Sequence, residues 1–165
     1  MKSFYIAFLS LFFLTIKSSE TIFEHIFEKS RSRIPVSIQE IPILTIRNKS
    51  MIDGEENIKW VELVYSNFSA VGGYTKLKIY KNATLTTGNT TFVNHSSLID
   101  FNITATGFSG GKEMLHIPLP NCFESLIFNN LGIHFYLFAG ESFTITAFSE
   151  TNSLVDICIL WKESD

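Results

Sequence analysis

Gly107-Phe108-Ser109-Gly110-Gly111 fits the pattern G-x-S-x-G, in which a serine on a tight turn is held out for nucleophilic attack. Such a serine needs an imidazole to take its proton, and His116 and His134 follow it in the chain. Enzymes built on this pattern set the serine between a strand and a long helix. Pro118 and Pro120 forbid a long helix so soon after the turn, because proline lacks the backbone donor and clashes with the turn before it. The alternating strands and helices of such enzymes are missing too. A glycine-rich hairpin turn is the better account, and no enzyme is expected. A small serine hydrolase using Ser109 is the enzymatic alternative.

The other reactive residues are dispersed. His25, His95, His116 and His134 show none of the short spacings that bring two imidazoles to one metal ion. Asp53, Glu55, Glu56 and Asn57 gather oxygens around Gly54, but the alternating acids of a calcium loop are absent, so a solvated turn is expected. No glycine loop for phosphate is present, and no cofactor is expected. Cys122 and Cys158 are the two cysteines. In an oxidising compartment they would pair, and closing that loop would contribute about 4 kcal/mol in the chain-entropy treatment.

A denser pattern is Asn-x-Ser/Thr. It occurs at Asn48, Asn67, Asn82, Asn89, Asn94 and Asn102, each without proline in the middle, and each is a candidate acceptor for an N-linked glycan. The pattern has chemical meaning only if the chain enters the secretory route. Its opening supplies that condition. Lys2 precedes an apolar run from Phe4 to Ile16, and Lys17, Ser18 and Ser19 restore polarity. This is the layout of a cleaved leader over residues 1–18, too short to anchor in a bilayer that needs about 20 apolar residues. No second long apolar run follows, so no stable membrane span is expected.

Removing 18 of 165 residues leaves 147, one ordinary domain. Lys2 and Lys17 depart with the leader, so 13 basic residues become 11 against 16 acidic ones, a net charge of −5. That balance argues against nucleic acid, whose recognition rests on clustered lysine and arginine.

The elements that would position these residues are strands. Residues 21–29 are the exception: Thr21 and Glu24 form a capping box, and Ile22, Phe23, Ile26 and Phe27 share a face, which predicts a short helix within a 19–35 leading segment. From residue 36 to 165 the apolar period is two. Residues 41–48, 58–67, 74–81, 98–106, 114–120, 133–138, 142–148 and 154–161 read as strands. The 133–138 and 142–148 strands are expected to form a hairpin around Gly140, the first of them covered on both faces. Ile99, Phe101, Ile103 and Ala105 alternate with Asp100, Asn102, Thr104 and Thr106, which sets Asn102 on a wet face. Residues 82–97 read as a long, sugar-shielded connection. Pro118 and Pro120 suit an edge strand. An all-β, antiparallel β-sandwich or jelly roll is the expected fold.

Leu77-Lys78-Ile79-Tyr80 resembles a stretch of the extracellular CUB sandwich. The cysteine pairs of that family are missing and too much strand follows, so no family is assigned. Sixteen phenylalanines exceed what one core needs at the loop positions Phe108, Phe128 and Phe148. Aromatic loop residues on a rigid sandwich build binding surfaces. The expected function is therefore a secreted, N-glycosylated, non-enzymatic module that recognises an extracellular protein or carbohydrate. Its expected contacts are the 107–111 turn and a 123–132 loop. The further alternative is a self-associating coat protein.

Overall fold

Apolar alternation becomes antiparallel pairing throughout the computed structural model, which describes residues 26–50, 60–94, 98–120, 123–127 and 134–163. The first sheet contains β1 (Ile26–Val36), β3 (Trp60–Val71), β10 (Phe123–Ile127), β11 (Phe135–Phe138) and β13 (Ser153–Glu163). Its order is β1-β13-β3, and the far edge of β3 is shared by β10 and β11. The second sheet contains β2 (Ile41–Asn48), β4 (Tyr74–Lys81), β6 (Val93–Asn94), β7 (Ile99–Asn102), β9 (Lys112–Pro120) and β12 (Ser142–Ser149). Its order is β6-β7-β2-β12-β4-β9. A two-stranded ribbon joins β5 (Thr84–Gly88) to β8 (Ala105–Ser109).

One apolar core joins the two larger sheets, in a sandwich-like arrangement. Val61, Leu63, Phe68, Ile157, Ile159 and Trp161 face it from the first sheet; Leu44, Ile46, Leu77, Ile79, Phe143 and Ile145 face it from the second. Phe135 and Phe143 meet edge to face across the gap at 5.6 Å, and the Lys29 ammonium lies 3.9 Å from the centre of the Phe101 ring. Arg31 Nη1 donates to the Ile43 carbonyl, a further tie between sheets.

Several expectations are corrected. Residues 26–29, assigned to the end of a helix, open β1 and pair with β13 from Ile26↔Lys162 onward. An isolated helix so short is marginal in water, whereas isoleucine and phenylalanine fit a pleated surface, and pairing with β13 supplies the backbone bonds. Among the described residues the sheet therefore already includes residues 26–35, ahead of the expected boundary at 36. Residues 1–18 and 21–25 lie outside the described residues. The hairpin around Gly140 does not form: β11 pairs with β3, while β12 pairs with β2 and β4, so the chain crosses between sheets there. Nor is β11 covered on both faces, since Phe138 is 44% exposed. The stretch expected as a connection over 82–97 contains β5 and β6, and part of the expected 123–132 loop is β10. The single 98–106 strand is two, β7 and β8.

Proline placement agrees with expectation. β9, which carries Pro118, is an edge strand of the second sheet. Among the described residues no helix is long and apolar enough to cross a membrane.

Candidate functional site

Strand alternation places Val61 and Leu63 of β3 in the core and turns Trp60 and Glu62 outward. Lys162 of β13 stands opposite Glu62 on one side, and Tyr136 of β11 stands opposite it on the other. In the next row Trp60 faces Phe138. The outer face of the first sheet thus carries a carboxylate at the centre of a ring of cationic and aromatic side chains.

Glu62 is only 2% exposed although it lies on an outer face, because longer side chains close over it. Its Oε1 lies 2.8 Å from His134 Nδ1 and its Oε2 lies 3.0 Å from Lys162 Nζ. Burial by itself would push the Glu62 carboxyl up. The hydrogen bonds from His134 and Lys162, with their charges, outweigh that and hold it below the ordinary carboxylate range. The His134 ring stacks parallel on Tyr136 with centres 5.8 Å apart, and its side chain is 50% exposed. Trp60 meets Tyr136 edge to face at 5.3 Å. Trp60, Tyr136 and Phe138 line a shallow hollow of about 240 Å³. This is an aromatic floor beside a neutralised ion cluster, a combination suited to holding a ligand with apolar and hydroxylic faces.

The catalytic alternative is dispersed by the fold. Ser109 ends β8 in the ribbon, His116 lies in β9 opposite Lys78, and His134 is bonded to Glu62 on the other sheet. Phe108 packs on Tyr80 at 5.2 Å, so the 107–111 turn does not present it as a free aromatic contact. Phe128, Cys122, His25, His95 and the 53–57 acid turn lie outside the described residues. Among the described residues no group of three or more His, Cys, Asp or Glu could hold a metal ion.

Among the described residues Cys158 has no disulfide partner, the expected Cys122 lying outside them, and its thiol donates to Glu28 Oε1 at 3.3 Å. Burial pushes that thiol up, so it is a poor nucleophile. It faces an open groove of about 310 Å³ shared with Ser30, Ser69 and Asp156. The polar groups there satisfy one another: Ser30 donates to Glu28 at 2.6 Å and Ser69 donates to Asp156 at 3.1 Å.

On the outer face of the second sheet, Thr45 donates to Thr144 at 3.1 Å and Thr146 donates to Glu40 at 2.6 Å. Lys78 reaches Glu40 at 3.3 Å and Tyr80 at 3.2 Å. The Tyr80 contact, then Glu40, hold the Lys78 ammonium above the ordinary lysine range against the effect of burial, which makes it a fixed cation. This network cements the face.

The glycan candidates divide. Asn82 and Asn89 are exposed, whereas Asn48 and Asn102 are buried, at 0% and 3%. Asn102 therefore does not stand on a wet face, as alternation had suggested. The Asn67 backbone pairs with Cys158 in the middle of the first sheet, and the Asn94 backbone pairs with Asp100.

Trp60, Glu62, Lys162, Tyr136 and Phe138 were not singled out by sequence. Alternation does set Trp60 and Glu62 on one face, and that was the available signal. The 133–138 stretch hid its part because its apolar residues read as interior on both sides.

The chain matches no family model, no curated protein and no solved structure.

Proposed function

We propose that this protein is exported, carries N-linked glycans, and works outside the cytosol as a recognition module whose contact surface is the Trp60–Tyr136–Phe138 hollow. The observation that carries this reading is the hollow itself: three aromatic side chains beside a buried carboxylate already matched by Lys162 and His134. Such a surface accepts apolar C–H faces on its rings and hydroxyl groups at its charged rim. That is the chemistry of a saccharide, the ligand class favoured here over a protein. The charged leading stretch, the apolar run behind it and the repeated Asn-x-Ser/Thr pattern support export.

The test is binding of the secreted protein to an array of immobilised saccharides. Retention of at least one sugar class is expected, with a loss of tenfold or more in Trp60→Ala and in Phe138→Ala. Phe138 is partly exposed, so its variant should keep the wild-type unfolding temperature. Absence of any saccharide ligand, or binding indifferent to both variants, would overturn the assignment.

A second reading, self-association into a coat of jelly-roll-type units, is favoured by a different observation. Pro35, Leu154 and Val71 stand in one cross-strand row, and Leu154 and Val71 are exposed, as is Ile38 nearby in the chain. Sizing of the native protein separates the two. A monomer that Val71→Asp leaves unchanged would dismiss the coat.

A further inference from the structure

We infer that the Asn-x-Ser/Thr pattern serves two separate purposes in this chain: Asn82 and Asn89 are glycan acceptors, and Asn48 and Asn102 are internal clamps that carry no sugar. The inference rests on the export proposed above. It follows from where each amide nitrogen points, because the glycan replaces one hydrogen of that nitrogen and needs open space beyond it.

The Asn102 side chain is fully occupied. Its Nδ2 donates to the carbonyls of Asn89 at 2.9 Å and Thr91 at 2.8 Å. Its Oδ1 accepts from the backbone N–H groups of Thr104 at 3.0 Å and Ala105 at 2.8 Å. Both amide hydrogens are spent inside the protein, and no room remains for a sugar. Asn48 is similar: Nδ2 donates to the Leu137 carbonyl at 3.0 Å, which ties the second sheet to the first, and Oδ1 accepts from Ser50 N at 3.0 Å and Ser50 Oγ at 2.6 Å.

Asn82 and Asn89 differ in the one respect that matters. Asn82 accepts from Ser142 N at 2.9 Å through Oδ1, and its backbone adopts a φ of 58°, which asparagine tolerates. Asn89 accepts from Thr91 N at 2.9 Å through Oδ1. In both, the oxygen is engaged and the side chain is exposed, with no described residue accepting from Nδ2.

The pattern itself has a local cause. In Asn48, Asn89 and Asn102 the side-chain oxygen accepts from the N–H two residues on, the bond that makes an asparagine turn. Asn102 also fixes the Asn89 carbonyl, so the asparagine without sugar holds the one with it. The two acceptors flank β5, whose pairing among the described strands is with β8 alone. Bulky sugars at both ends would keep another strand from adding to its open edge.

The deciding experiment sends the full chain, behind a foreign leader, through a eukaryotic secreting host and isolates the folded monomer. Enzymatic glycan release in heavy-oxygen water marks each formerly glycosylated position, which peptide mass spectrometry then reads. Marks at 82 and 89 and none at 48 and 102 are expected. A mark at 48 or 102, or unmarked 82 and 89, would overturn the inference. A parallel arm keeps the native leader. Failure of export in that arm alone would count against the exported reading and leave the choice of positions to the first arm.

Discussion

His134 Nδ1 lies 2.8 Å from Glu62 Oε1, and this contact joins β3 to the start of β11 on the outer face of the first sheet. Glu62 has Lys162 as its second partner, so one buried carboxylate links three strands. The Glu62 carboxyl loses its proton more readily in the folded chain than in the unfolded one. The stability it contributes is therefore complete above its ordinary value of 4.5 and is lost as pH falls through the lower, folded value. Glu62→Gln should lower stability at neutral pH by about 2–3 kcal/mol, less than a wholly buried pair because Lys162 and His134 reach solvent. It should also flatten the loss of stability on acidification. Urea midpoints across pH 2–7 check both.

Asn102→Ala should cost about 2–4 kcal/mol, since it leaves buried donors and acceptors unmatched. Asn102→Asp is expected to be no milder. It restores the acceptor for Thr104 and Ala105 but sets a carboxylate against the carbonyls of Asn89 and Thr91. A mild Asp variant in chemical denaturation would show that the donor side of the clamp is unimportant.

Gly110 and Gly111 make a paired test of the turn at Ser109. Both have positive φ, at 63° and 82°. A Cβ on Gly110 meets nothing within 4 Å, whereas one on Gly111 would lie 2.9 Å from backbone atoms of Ala83. Gly110→Ala should therefore cost about 1 kcal/mol from backbone strain alone. Gly111→Ala should cost more, because the β8–β9 turn must move away from Ala83. Equal unfolding midpoints would contradict the close approach. Ser109→Ala should leave stability unchanged, and a serine-reactive probe should leave the wild type unlabelled.

Phe143→Ala should cost about 3–5 kcal/mol through the cavity it leaves. Because Phe143 touches Phe135 on the facing sheet, a double-mutant cycle with leucine at each position should return a coupling of about 0.5–1.5 kcal/mol. Zero coupling would mean that the sheets do not meet there.

Much of the strand pattern was legible. The stretches read as strands at 41–48 and 74–81 coincide with β2 and β4, and the prolines correctly marked β9 as an edge. What alternation cannot reveal is the partner. It says that Phe135 and Leu137 share a face, and that Phe143 and Ile145 share another. It does not say that Gly140 carries the chain from one sheet to the other, because a tight hairpin and a crossover use the same turn residues.

The site was legible in part for the same reason. Trp60 and Glu62 fall on one face by counting, but the depth of Glu62 depends on side chains from β11 and β13, far away in sequence. Asn102 shows a further limit. A turn-forming asparagine and a glycan acceptor are written in the same letters, and only the direction of the amide hydrogens tells them apart.

β13 lies between β1 and β3, so the middle of the first sheet is built from the last strand described. Among the described strands β1 pairs with β13 alone, so it joins the sheet only once residues 153–163 are in place, whereas β3 also has β10 and β11 as partners. The first sheet consequently closes by pairing strands far apart in sequence, a step on the order of milliseconds to seconds.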